Sequence, residues 1–214
     1  MKSLKERKPA TFLGALFVLL ATGFFFTSSA KINPGESGSL PLSAEDSISL
    51  MQMREEEKMA RDVYLGLSEL YGLNIFANIS SSEQVHMDEV LRIIEANGLS
   101  DPASTERGVF RNREIQKLYD DLMEKGKKSL TDALLVGAAI EDVDIYDLQN
   151  FMARTKNKEI YAVFSFLNCG SRNHLRAFTF QLNRFGVNYI PVHISDEEYA
   201  AIINRRHEPC GALY

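Results

Sequence analysis

The sequence predicts an all-α fold, a four-helix bundle with one long crossover between helices 2 and 3. Three observations carry that expectation. Four long segments repeat apolar residues at spacings of three and four, each is bounded by capping and stop residues, and no alternating pattern announces a ladder of strands. At 214 residues, 45% hydrophobic and 25% charged, the chain has apolar material for one ordinary globular domain with an added piece at one end.

The added piece is N-terminal. "MKSLKERK" supplies four cationic side chains, and residues 9–30, "PATFLGALFVLLATGFFFTSSA", then run without a charge. The pattern predicts an export signal over residues 1–30, cut after Ala30 behind the small residues Ser28 and Ser29. An uncleaved anchor is the alternative, because an uncharged run of 22 residues is long enough to span a bilayer. That anchor would be the chain's one tie to a membrane. Either way the domain is expected outside the cytoplasm, in the periplasm, cell envelope or extracellular space.

Residues 31–42, "KINPGESGSLPL", lack periodicity and read as a linker. The helical domain is expected over residues 43–186. Ser43 with Asp46 three residues on opens the first helix, which runs to Gly72. The second spans Asn74 to Asn97 and stops at Gly98. From Leu99 to Lys128 the chain carries Pro102, Gly108 and one short helix, "REIQKLYDDLMEK", capped by Asn112; this is the crossover. Ser129 with Asp132 opens the third long helix, to Arg154, and the fourth runs from Lys158 to Phe185 before Gly186. Residues 187–214 form a C-terminal tail with a brief extended piece and a short helix opened by Ser195 and Glu198.

The net charge of −5 comes from acidic residues spread along the helices, and basic stretches are short, so nucleic acid is not an expected partner. Cys169 and Cys210 are the two cysteines. In an oxidising compartment they are expected to pair, and a Cys-based zinc site would need more ligands than these two supply.

The stripes that should face the core are apolar at both ends and polar in the middle. They read Leu50, Met53, Glu57, Ala60, Tyr64, Leu67, Tyr71 on the first helix and Ile79, Glu83, His86, Val90, Ile93 on the second. The third reads Leu134, Gly137, Glu141, Asp144, Leu148, Phe151, and the fourth Ile160, Phe164, Leu167, Ser171, His174, Phe178. Counted from the hairpin turns at Gly72 and Asn157, the polar positions lie between 11 and 17 residues away. At about 1.5 Å of rise per residue they differ by less than about two turns in depth. The polar groups can therefore meet at one level.

A carboxylate alone in a dry core costs several kcal/mol or takes up a proton, whereas a cation shared by several such groups removes that cost. A single Glu or His on a core stripe is more often a satisfied structural group. Six titratable residues at one level, Glu57, Glu83, His86, Glu141, Asp144 and His174, point instead to metal ligands, and Glu-x-x-His presents both of its groups to the bundle axis. Tyr64 reads as core packing.

These residues also carry a resemblance. "EKMARDVY" (Glu57 to Tyr64) and "EQVH" (Glu83 to His86) resemble the Glu-x-x-Ala-Arg-x-x-Tyr and Glu-x-x-His segments of rubrerythrins and other ferritin-like proteins. "MREEEKMARDVYLGL", "SEQVHMDEV", "GVFRNREIQKLYDDL", "GAAIEDVDIYDL" and "GSRNHLRAF", in that order, resemble the ferritin-like family called domain of unknown function 2202, over about residues 47–182. The resemblance implies that Glu57 is a terminal ligand, Glu83 a bridging carboxylate and His86 a ligand to one metal. It matches Glu141 and Asp144 to the acidic ligands of the third helix and His174 to the histidine of the fourth. Ser171 departs from it, standing where the symmetrical di-iron pattern needs a second Glu.

The expectation is thus an exported ferritin-like protein that binds iron, or manganese in its place, and works on dioxygen or peroxide or oxidises Fe(II). With one bridge missing, one ion should bind more tightly than the other, around Glu57, Glu83 and His86. A metal-stabilised or metal-free bundle acting as an envelope binding protein is the alternative, and association into a homo-oligomer is left open.

Overall fold

Residues 42–211 are described by a computed structural model, so the expected signal, and the expected linker apart from Leu42, lie outside the described residues. Helix α1 (Ala44–Tyr71) opens with a reciprocal cap: the Ser43 hydroxyl accepts from the Asp46 amide while the Asp46 carboxylate accepts from the Ser43 amide. It ends at Gly72, whose φ of 62° is the left-handed turn that releases the chain into α2 (Asn74–Ala96). The N-cap position of α2 is occupied by Leu73, whose side chain has no acceptor, so this helix starts without a side-chain cap.

Asn112 caps α3 (Arg113–Gly126), Ser129 caps α4 (Leu130–Arg154), Asn157 caps α5 (Lys158–Arg184) and Ser195 caps α6 (Asp196–Ile203). The fold is all-helical, with six helices and no strand among the described residues. The brief extended piece expected in the tail is irregular loop. No described helix is long and apolar enough to cross a membrane.

Helix α1 packs along α2 and α4 along α5, with further contacts joining α1 to α4 and α2 to α5; α3 lies against both α1 and α4. Every residue of the four core stripes is buried except Tyr71 and Asp144, which are partly exposed. The apolar core is split in two. Tyr64, Leu67, Phe76, Leu134 and Phe178 belong to one cluster, and Leu50, Met53, Val90, Ile93, Leu148 and Phe164 to the other. Along each of the four stripes the polar residues fall between members of the two clusters.

Charges that point away from this layer fasten the connections. Arg54 holds Asp101 through two hydrogen bonds of 3.0 and 2.8 Å, and Glu55 accepts from the Arg111 amide. The fully buried Lys58 pairs with Asp62 at 2.6 Å and donates to the Glu106 carbonyl, while Asp62 accepts from the Gly108 amide. The crossover is thereby strapped to α1 by groups that burial would otherwise penalise. Asp142 does the same for the tail: it accepts from the Tyr189 hydroxyl and from the amides of Val192, His193 and Ile194. The core continues into the tail through Tyr189, Ile194 and Ile202.

Beyond α6 the tail returns to α5. Glu208 accepts from Arg172 and Arg176, and hydrogen bonding from Arg172 above all holds its carboxyl down to about 2. Cys210 is disulfide-bonded to Cys169, as expected. The bond closes a loop with a sequence separation of 41, which in the chain-entropy model contributes at most about 4 kcal/mol. Replacing both cysteines by serine should therefore lower the melting temperature by several degrees while leaving the helical circular dichroism intact. An unchanged melting temperature would show that the Glu208 contacts alone suffice.

Candidate metal centre

The middle of the core holds Glu57 from α1, Glu83 and His86 from α2, Glu141 from α4 and His174 from α5, all buried. Glu83 stands between the two imidazoles. Its Oε2 lies 2.7 Å from His86 Nδ1, and its Oε1 lies 2.9 Å from His174 Nδ1. Glu57 Oε2 is 3.3 Å from His86 Nδ1, and Glu141 Oε2 is 3.4 Å from His174 Nδ1. Two groups result, Glu57–Glu83–His86 and Glu83–Glu141–His174, each with its ligand atoms within 4.8 Å of one another and each able to hold a metal ion.

Several of these atoms lack the partners that burial demands. Glu57 Oε1, Glu83 Oε1 and His174 Nδ1 are buried without a hydrogen-bond partner, even though the last two are 2.9 Å apart. Buried donor atoms without hydrogen-bond partners are free to take a cation, and the carboxylate and imidazole donor set suits iron, manganese or zinc. The residues fit a metal.

A second ring of residues holds the first. Tyr64 donates to Glu141 Oε1 at 2.5 Å, and His174 Nε2 lies 3.1 Å from the Ser82 hydroxyl. Gly170 makes room for His86: a Cβ there would lie 2.5 Å from the imidazole Nε2. The His86 and His174 rings stack with centroids 5.7 Å apart.

Of the six residues expected as ligands, the structure brings five together. Asp144 joins neither group; its carboxyl meets the Ser171 hydroxyl, which also approaches the Leu167 carbonyl at 3.0 Å. Burial, followed by the charges of Glu57 and Glu141, raises Asp144 well above the usual carboxylate range, and the Ser171 hydroxyl, donating to it, works in the opposite direction. Ser82, Gly170 and the hydrogen bond of Tyr64 were not read from the sequence. An acidic pair beside the site was also missed: burial, then repulsion from Asp147, pushes Glu56 up to about 8.

Without a cation, protons balance the layer. Burial pushes Glu57 up to about 8, and burial followed by the charge of Glu83 raises Glu141. Burial alone would raise Glu83, but His174 and His86 overcome it and hold that carboxyl well below its ordinary value. Burial works to lower His174, yet Glu83 and Glu141 outweigh it and lift the imidazole to about 10.

Residues 46–206 match the family model described as an uncharacterized protein domain, DUF2202. The chain belongs to that family. It is 50% identical over 169 residues to uncharacterized protein MJ0754 of Methanocaldococcus jannaschii, spanning 78% of this chain and 91% of that protein. The crystal structure of hypothetical protein MJ0754 from Methanococcus jannaschii is similar with a TM-score of 0.79 at 48% identity, covering 81% of this chain and 100% of that one. The DUF2202 match takes in all five clustered residues and extends over α6.

The direction of these shifts gives the DUF2202 domain a pH signature. Glu57 and His174 bind their protons more tightly folded than unfolded, so their contribution is complete below about 4.5 and about 6.5 respectively. It is lost as the pH rises through about 8 and about 10. Metal-free protein should lose melting temperature between about pH 6 and pH 9, and a bound ion, which needs deprotonated ligands, should restore more of it at the upper end. Thermal melts across that range with and without Mn(II) test this; a metal effect that shrinks with rising pH would contradict it.

Proposed function

We propose that this protein is a ferritin-like four-helix bundle that holds two metal ions, iron or manganese in its place, and carries out redox chemistry such as Fe(II) oxidation or the reduction of dioxygen or peroxide. The observation that carries the reading is Glu83. Its two oxygens face the Nδ1 atoms of two different histidines, and each histidine has its own further carboxylate, Glu57 or Glu141. A carboxylate so placed would hold both ions at once, as a bridge does in carboxylate di-metal bundles.

Iron bound there would supply electrons that none of these side chains can provide. The protein's own part is to position and to exclude. Glu57 and Glu141 offer one anionic donor to each position, and His86 and His174 offer one neutral nitrogen to each. The apolar clusters on either side keep water from competing for the ions. Ser171 is fully buried at the place of the missing second bridge, and Asp144 beside it is partly exposed.

Export belongs to the same proposal: a signal over residues 1–30, a linker to residue 42, the bundle over 43–186 and the tail over 187–214. The disulfide and the charge-free N-terminal run support it. A second reading, a metal-free structural core, draws support from the short distances between Glu83 and both imidazoles, which suit an ion-pair network.

Substitution at Ser171 separates the two. Ser171→Glu would place a carboxylate one turn before His174; with a metal site it should strengthen binding of the weaker ion, and Glu83→Ala should weaken both. In a metal-free core the same new charge should destabilise the fold by several kcal/mol with no rescue by metal. Anaerobic Fe(II) titration followed by admission of air reads both points. Oxidation no faster than in buffer, with a destabilised and unrescued Ser171→Glu, would overturn the proposal.

A further inference from the structure

Resting on the metal-site reading, we propose that the two positions fill in a fixed order, the Glu83–Glu141–His174 group first, and that Tyr64 and Ser82 are the positioning residues that set it. The order is the reverse of the one the sequence suggests. The difference lies in what holds each ligand.

On the Glu141–His174 side both private ligands are already fixed. Tyr64, fully buried among Phe76 and Phe178, donates to Glu141 Oε1 and leaves Oε2 turned toward His174. Ser82 stands 3.1 Å from His174 Nε2. When that nitrogen carries the proton and donates it to the hydroxyl, Nδ1 presents a lone pair to Glu83 and Glu141. The partner on the far nitrogen thus selects the tautomer that can bind metal.

The Glu57–His86 side has neither support. Glu57 Oε1 is buried with no hydrogen-bond partner, and Glu57 Oε2 lies 3.3 Å from His86 and near Glu83, so nothing outside the site holds this carboxyl in place. The Nε2 of His86 faces the Cα of Gly170, a position that leaves room for the ring but offers no acceptor side chain. Among the described residues no side chain accepts a hydrogen bond from it, so this half has no counterpart of Ser82. An ion arriving in this half must both align Glu57 and move the His86 proton. Preorganised ligands lose less freedom on binding, so the supported half binds more tightly.

Cobalt(II) is the probe, because calorimetry counts its binding steps and its visible absorption reports its ligands. The full-length chain should take up two ions in two steps. Glu57→Ala should abolish the weaker step and leave the tighter one, while Glu141→Ala should abolish the tighter one. Ser82→Ala should weaken the tighter step by about 10- to 100-fold, the range typical of losing an outer partner of a metal ligand, and leave the weaker step unchanged. Ser82→Thr, which keeps the hydroxyl, should restore it, and Tyr64→Phe, which removes one oxygen, should act in the same direction as Ser82→Ala.

If Glu141→Ala does not fold, as thermal melting will show, Tyr64→Phe and Ser82→Ala carry the test alone. Loss of the tighter step in Glu57→Ala, or a tighter step untouched by Ser82→Ala, would overturn the order while leaving the metal site standing. No uptake of Co(II) by the wild type would overturn the metal reading and this proposal together.

Discussion

Four carboxylates and two imidazoles occupy one level of an otherwise apolar core, and their charges must be compensated where water cannot do it. That requirement organises the rest of the protein. An ionised carboxylate in such surroundings is stable only beside a cation or fully hydrogen-bonded. Here Glu83 has two imidazoles, Glu141 has Tyr64 and His174, and Asp144 has Ser171, while Glu57 retains one oxygen with no partner at all. Protons can balance this layer at low pH, and a divalent ion can replace them as the pH rises.

The scaffold meets the cost by dividing labour between neighbouring residues. On α4, Glu141 turns to the site while Asp142 gathers three amides and a tyrosine hydroxyl from the tail. On α5, Gly170, Ser171 and His174 border the polar layer, whereas Cys169, Arg172, Asn173 and Arg176 grip the returning chain. On α1, Glu57 faces inward and Arg54, Glu55, Lys58 and Asp62 hold the crossover. The elements that carry the polar layer are thus fixed from outside by charges, of which Lys58 and Asp62 are as buried as those within.

The positions of the helices and the residues of the polar layer were legible in the sequence, because helical periodicity and capping are local signals. Ser43, Asn112, Ser129 and Ser195 cap the helices they were expected to cap. Among the described helices the one start without a side-chain cap is at Leu73, whose side chain has no acceptor. Asp144 shares the stripe and the depth of Glu141, but whether its carboxyl reaches the histidines or Ser171 depends on side-chain direction that spacing does not encode. Ser82 and Gly170 were illegible for a related reason. A small residue next to an imidazole is informative only once the opposing helix is in place, and Tyr64 looked like packing because its ring is packing; its hydroxyl is what touches the site.

Crystals of the protein grown with Fe(II) or Mn(II), with diffraction recorded on both sides of the metal's absorption edge, test the central claim most directly. The account predicts two anomalous peaks in the polar layer, one among Glu57, Glu83 and His86 and one among Glu83, Glu141 and His174, with a Glu83 oxygen on each. A polar layer with no anomalous peak, its imidazoles paired to carboxylates at hydrogen-bond distance, would contradict it.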